Sequence, residues 1–175
     1  LAIFWFYALY HYGLVLFRQT GKTKPDVRKR EEENKADFPR IALLYTTVDD
    51  FRYDAALRCI NQDYPDFHVF LIDVSQGQQG RDQVDEFHQS FPQKTTIVRR
   101  AELTGFKARS LNLALANQAQ GYEFFALCDA DGLLAENFLK QTAAYIQQDE
   151  RIGFVQANHD SGSSTKNAFT EHFLA

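Results

Sequence analysis

The 175-residue chain has no methionine and only two cysteines, and it lacks any excess of positive charge: 19 Lys and Arg stand against 23 Asp and Glu, for a net charge of −4. Two cysteines are too few for a secreted disulfide scaffold. Cys59 and Cys128 both sit inside apolar runs, as buried thiols of a reducing compartment do. The acidic balance leaves no footprint for nucleic acid, and none is expected as a partner. Five scattered histidines offer no His-x-x-x-His spacing, so His11 and His159 read as structural or surface residues. The missing methionine and the start at Leu1 read as a piece of a longer protein. What the chain does have is apolar bulk. Hydrophobic residues make up 45% and aromatic residues 14%, with 16 Phe and 8 Tyr, enough to offset chain entropy in about one globular domain and to exclude disorder as the main state.

Residues 1–17 contain no formally charged side chain and include Trp5, Tyr7, Tyr10 and Tyr12, side chains suited to a membrane interface. A span needs about 20 apolar residues. The run therefore reads as a short or clipped transmembrane helix, with a buried soluble helix as the alternative; the missing basic region and cleavage site disfavour a signal peptide. Arg18, Lys22, Lys24, Arg28, Lys29 and Arg30 follow, against Asp26 alone, a local balance of +5 that leaves −9 to residues 31–175. Lys and Arg clustered after a span mark its cytoplasmic side and meet anionic headgroups. Residues 18–38 are thus expected as a basic juxtamembrane linker. The location expected is an inner or plasma membrane, with the domain from residue 39 to 175 in the cytoplasm.

From Ile41 onward, short apolar runs alternate with helical-period segments, the pattern of an α/β fold with a mostly parallel sheet covered by helices. Strands are predicted at Ile41–Thr47, His68–Asp73, Thr95–Arg100, Glu123–Cys128 and Ile152–Gln156, and helices near 51–61, 80–90, 107–119 and 135–148. The Gln76–Gly80 cluster reads as an exposed loop. Ligands of such sheets sit beyond the carboxyl ends of the strands. Asp49 and Asp50 follow the first predicted strand, Asp73 closes the second, and Asp129 with Asp131 close the fourth. Singly, each is an ordinary turn residue; gathered on one edge, they read as a site.

The sharpest feature is Phe124-Phe125-Ala126-Leu127-Cys128-Asp129-Ala130-Asp131, an apolar strand ending in Asp-x-Asp. Two carboxylates one residue apart can face one hard cation where the backbone turns, leaving coordination positions for diphosphate oxygens. Lys107 and Arg109 open a predicted helix, where cations oppose the helix dipole unless an anion is bound nearby. Arg99 and Arg100 add a basic rim that reads as solvated.

Taken in order, several segments resemble the membrane-bound family 2 glycosyltransferases of GT-A fold, especially the branch similar to cellulose, chitin and hyaluronan synthases. Ile41–Asp50 is similar to the first strand and Pro-Thr-Tyr-Asn-Glu loop, Asn61-Gln62-Asp63-Tyr64-Pro65 to the turn after it, and Lys107-Ala108-x-x-Leu111-Asn112-x-Ala114-Leu115 to a helix motif. Leu127–Asp131, Asn137-Phe138-Leu139 and Arg151–Gln156 complete the series, which covers residues 39–157. The resemblance implies a truncated, Rossmann-like GT-A domain taking a nucleoside-diphosphate sugar, with UDP-sugars favoured, and a glycan or lipid-linked acceptor. It implies Mg²⁺ or Mn²⁺ on Asp131, with Asp129 on the metal or the ribose. Thr47, Asp49, Asp50 and Asp73 would line the nucleotide-sugar site, and Lys107 would lie near the nucleotide or its phosphates.

Val74 departs from the family pattern, standing where a carboxylate is common, and Val48-Asp49-Asp50 stands for Tyr-Asn-Glu. Nothing after His159 matches the family's catalytic base; Glu171 lacks the following Asp. The chain is therefore expected to bind without turning over, and the alternative is a non-catalytic, membrane-anchored subunit with a degenerate site. Other enzyme classes fit less well. A haloacid-dehalogenase-like phosphatase needs acidic and Lys motifs beyond Asp131, a phospho-receiver needs a Lys after its fifth strand, and a Rossmann dehydrogenase needs Gly-x-Gly-x-x-Gly where this chain has Thr47-Val48-Asp49-Asp50.

Overall fold

The run Ile41–Thr47 is buried along its whole length, as expected of a strand with helices on both faces. The computed structural model describes residues 2–20, 38–99, 106–117 and 119–157. In chain order the elements are α1 (Ala2–Thr20), β1 (Ile41–Thr47), α2 (Tyr53–Ile60), β2 (Phe67–Asp73), α3 (Gln78–Ser90), β3 (Thr95–Arg99), α4 (Phe106–Asn117), β4 (Phe124–Asp129) and α5 (Phe138–Ile146). The four strands form one parallel sheet in the order β3-β2-β1-β4.

Side-chain alternation sends the two halves of β1 to opposite cores. Ile41, Leu43 and Tyr45 join Val69 and Leu71 beneath Ala55, Ala56, Cys59 and Ile60 of α2, Val84 and Phe87 of α3, and Leu139 and Ala143 of α5. Ala42 and Leu44 join Phe70, Ile72 and Val98 against Ala114 of α4. The result is three layers, with three helices on one face and α4 on the other. Each large apolar side chain buried this way contributes about 1.5–3 kcal/mol.

The chain runs outward from β1 to β2 to β3 and then returns to place β4 on the other side of β1. The loops leaving β1 and β4 therefore lie at the carboxyl ends of two neighbouring strands where the strand order reverses, the place where ligands of open α/β sheets bind.

Most predicted elements match these within two or three residues. The strand expected at Ile152–Gln156 does not form: residues 152–157 lie in no strand. Ile152 N–H instead closes a turn on the Asp149 carbonyl (2.9 Å), an Asp149–Arg151 ion pair reinforces that turn, and Phe154 is 80% exposed. Apolar alternation alone does not make a strand without a partner edge. The Gln76–Gly80 loop is corrected too, since α3 begins at Gln78 and Gly80 is buried. At the amino end, α1 runs three residues past the expected boundary at residue 17, but no helix among the described residues is long and apolar enough to cross a membrane. The helix is present and the span is not shown. Most of the expected linker lies outside the described residues.

The Asn61–Pro65 motif has a structural role. Gln62, buried between helices, donates through Nε2 to the carbonyls of Arg58 (3.0 Å) and Ala135 (2.9 Å), and its Oε1 accepts from Leu139 N–H (3.1 Å). It thus satisfies one of the amides that the first turn of α5 leaves without a helical partner. Tyr64 fastens the approach to β1 by donating to the Pro39 carbonyl at 2.7 Å. Gln62→Ala is expected to lower stability by about 2 kcal/mol, the cost of stranding buried partners, read as a drop in the urea midpoint at constant slope. An unchanged midpoint would show that these bonds do not hold α2 to α5.

Candidate functional site

Five of the seven expected site residues lie on the β1 and β4 side of the carboxyl edge or its loops, Asp73 lies next to them on β2, and Lys107 falls in the first turn of α4. The Lys107 side chain, like Arg100, lies outside the described residues.

At the switch point, parallel register sets Thr46 beside Asp129. The Thr46 hydroxyl donates to Asp129 Oδ1 at 2.9 Å, which fixes one carboxylate of the Asp-x-Asp pair to the central strand. Sequence reading passed over Thr46, and only the strand pairing reveals it. Beyond Asp129 the chain turns tightly: Gly132 N–H bonds the Asp129 carbonyl (2.9 Å), and a Cβ on Gly132 would stand 3.0 Å from Cys128 Sγ and 3.2 Å from that carbonyl oxygen. Ala130 is buried by this turn, while Asp129 and Asp131 on either side are exposed. The Tyr45 hydroxyl lies beneath. It accepts from Arg52 N–H (3.1 Å) and sits 3.3 Å and 3.4 Å from the carbonyls of Arg52 and Ala130, so it joins the β1 loop to the Asp-x-Asp turn. Burial pushes the Tyr45 phenol well above its usual range, keeping it a neutral strut.

The two other aspartates of the β1 loop have different partners. Asp50 accepts from Thr47 Oγ1 (2.9 Å) and Val48 N–H (2.6 Å), folding the loop onto its own strand. Asp49 reaches the other way, to the loop after β2, accepting from Gln76 N–H (3.1 Å) and Gly77 N–H (2.9 Å).

Asp73 is the buried member of the set, its side chain fully covered. Arg99 grips it from β3, with Nη2 at 2.6 Å and Nε at 2.7 Å from Oδ2, and Ser75 N–H donates to Oδ1 at 2.8 Å. Register explains the meeting, because Asp73 and Arg99 are cross-strand partners. Arg99 also contacts Asp85 (3.1 Å) and the Arg81 carbonyl (3.3 Å). Burial works against its charge, and the bonds to Asp85 and Asp73 more than offset this, holding the guanidinium above its ordinary value. Arg99, expected to be solvated, is thus the partner of Asp73, one of the expected site residues.

Two carboxylates are hard oxygen donors, and magnesium-type sites use one or two of them while phosphate oxygens and water fill the remaining positions. Asp129 and Asp131 fit that description. No group of three or more His, Cys, Asp or Glu that could hold a metal occurs among the described residues. An open cleft of about 490 Å³ lies at the opposite edge of the sheet, lined by Asn61, Asp63, Phe67, Lys94 and Glu136 among others, remote from these carboxylates.

Replacing Arg99 with Ala leaves a buried carboxylate without its counter-charge, so the variant is expected to lose about 3 kcal/mol. The double variant Asp73→Asn with Arg99→Ala should recover part of that loss. Urea unfolding checks both; a single variant as stable as the parent would mean that Asp73 is already compensated elsewhere.

The model of "Glycosyl transferase family 2" matches residues 53–173, well over half of the chain. Two beta-monoglucosyldiacylglycerol synthases, from Trichormus variabilis and a Nostoc species, are each 25% identical over 152 residues, which is 85% of this chain and 32% of theirs. The chain therefore spans about a third of the length of the curated relatives it matches. Among solved structures, S. aureus TarS 1-349 superposes with a TM-score of 0.52 at 23% identity, over 62% of this chain and 32% of that one. The mannosyltransferase PcManGT from Pyrobaculum calidifontis, in complex with GDP-Man and Mn²⁺, gives a TM-score of 0.52 at 21% identity, over 69% and 38%. These two likenesses support the parallel α/β architecture. The family match rests on the sequence itself, and by it the chain belongs to glycosyl transferase family 2.

Proposed function

We propose that this chain forms the donor-binding part of an inverting hexosyltransferase that moves a sugar from a nucleoside-diphosphate sugar, a UDP-sugar by preference, to a glycan or lipid-linked acceptor. The observation that carries the reading is the pair Asp129 and Asp131, exposed on a tight turn at the switch point between β1 and β4. Its relatives lend support: a TarS structure is described in complex with UDP-GlcNAc, and PcManGT with GDP-Man and Mn²⁺.

Asp129 and Asp131 would hold Mg²⁺ or Mn²⁺, which supplies neutralisation of the diphosphate charge as it leaves. The chain's own residues then have separable tasks. Thr46 holds Asp129 by its Oδ1. Tyr45 braces the turn through the Ala130 carbonyl. Thr47 and Asp50 shape the wall contributed by β1, and Asp73 with Arg99 the wall contributed by β2 and β3. Lys107, at the start of α4, would add positive charge toward the phosphates. No residue of this chain is assigned as the base that takes the acceptor proton, so binding without turnover is expected of the chain by itself. One observation favours the alternative, a partner subunit with a decayed site: Asp73 already receives Arg99 and Ser75, and Val74 supplies no second carboxylate beside it.

Calorimetric titration of the chain with UDP and GDP, with and without Mn²⁺, separates these readings. Metal-dependent binding that weakens at least tenfold in Asp131→Ala is the expected result. Absence of binding by a folded sample under both conditions would favour the decayed site.

A membrane location belongs to the same proposal, with the domain on the cytoplasmic side. It draws on α1, where Phe4, Trp5, Phe6, Tyr7, Leu9, Tyr10 and Tyr12 are all exposed, Trp5 at 62%. Aromatic side chains of this kind favour the lipid–water boundary. Trp5 is the only tryptophan in the chain, which makes it a clean reporter. Anionic phospholipid vesicles are expected to shift its emission to the blue, and added salt to weaken the response through the basic stretch after α1. Emission indifferent to vesicles would remove α1 as a membrane contact.

A further inference from the structure

We infer that Asp49 is a positioning residue: rather than touching the nucleotide sugar, it clasps the loop after β1 to the loop after β2 and so fixes the relation between Asp50 and the Asp73–Arg99 pair. The inference rests on the donor-binding reading above and refines it.

Asp49 has φ of 58°, in the left-handed region, and is the only described residue other than glycine with positive φ. Such a conformation costs a side-chain-bearing residue energy, less so Asp and Asn, and persists where surrounding bonds enforce it. Here they do. Its N–H donates to Ser75 Oγ (3.0 Å), and its two carboxylate oxygens accept separately from Gln76 N–H and Gly77 N–H. These amides lead into α3, whose amino-terminal dipole favours a negative charge. Ser75 carries the connection onward, because its own N–H donates to Asp73 and its carbonyl accepts from Arg81 Nε at 3.0 Å.

The surrounding backbone is shaped to admit the carboxylate. A Cβ at Gly77 would lie 3.1 Å from Asp49 Oδ1. At Gly80 it would lie 2.8 Å from the same oxygen, 3.1 Å from Ser75 Oγ and 3.2 Å from Asp49 Cα. The Gly80 site is therefore closed to any side chain while the clasp is shut. Glycine inside a helix is otherwise unfavourable relative to Ala, so the clasp supplies a reason for Gly80 that α3 alone does not. Although Asp49 is exposed, both its oxygens are engaged by main-chain amides, so it is suited to hold loops together.

The test compares Asp49→Asn, Asp49→Gly and Asp49→Ala, with Gly80→Ala as an independent variant, in the full chain. Amide hydrogen exchange at Gln76 and Gly77 reports the clasp, and titration with UDP or GDP in Mn²⁺ reports the site. Asn keeps an amide-accepting oxygen and tolerates positive φ; Gly keeps only the backbone freedom; Ala keeps neither. Exchange protection is expected to persist at one of the two amides in Asn, which keeps only one of the two acceptor oxygens, and to fall at both in Gly and Ala. Nucleotide affinity should follow the same order, with Asn recovering part of a tenfold or greater loss seen in Ala. Gly80→Ala should weaken binding similarly even though Ala favours the helix. The inference is overturned if Asn binds as poorly as Ala while protection persists, since Asp49 would then meet the ligand through its charge. It is equally overturned if protection is unchanged in Ala. A parent chain that binds neither nucleotide while the exchange pattern still follows the series would count against the donor site and the positioning role together, though the clasp itself would stand.

Discussion

The sheet order around β1 governs the rest of the molecule. A central parallel strand must be covered on both faces, and β1 achieves this by sending Leu43 and Tyr45 to one core and Ala42 and Leu44 to the other. Because β4 returns to the far side of β1 instead of extending the sheet beyond β3, the order of the strands reverses at β1 and the loops leaving β1 and β4 become neighbours. The last residues of β1 are thereby given two neighbours at once. Thr46 reaches Asp129 on β4, while the carbonyl of Thr47 accepts from Val74 N–H beyond β2 at 3.0 Å. That carboxyl edge is an outcome of strand order before it is one of side-chain chemistry.

From that edge a continuous set of polar contacts runs across the sheet. Asp49 joins Ser75, Ser75 joins Asp73, and Asp73 joins Arg99, which continues to Asp85 on α3. A network of this kind stabilises a single arrangement only when its members are satisfied, because a low-dielectric setting raises the cost of each missing partner. Its weakest point is the buried carboxylate of Asp73, so Arg99 matters more to the architecture than its position on the rim of the sheet suggests.

Much of this was legible in the sequence, and the part that was not has a common cause. Ile41–Thr47 and the run before Asp129 announce themselves because buried parallel strands are continuous apolar stretches. The placement of Asp49, Asp50, Asp73, Asp129 and Asp131 at one edge follows from where those stretches stop. The partners do not follow. Thr46 meets Asp129 across 83 positions and Arg99 meets Asp73 across 26, through register that no local pattern encodes. Ile152–Gln156 failed for the converse reason: its alternation is local, whereas a strand requires a neighbour that this segment does not find. Gly80 looked like loop punctuation, yet its value lies in the space it leaves for a carboxylate from another loop.

The aspartates of the edge, though alike in sequence context, divide by what surrounds them. Burying a carboxylate is costly unless donors replace its water. Asp73 meets that condition through Arg99 and Ser75, and Asp49, though exposed, is engaged by two main-chain amides, so both act on protein groups. Asp129 and Asp131 stay at the surface because the turn buries Ala130 between them instead. In the proposed role, a hard cation would meet these two carboxylates together with incoming phosphate oxygens, for which exposed side chains on a braced turn are suited. The same fold that ties Asp49 and Asp73 to protein groups thus leaves Asp129 and Asp131 exposed on a single turn.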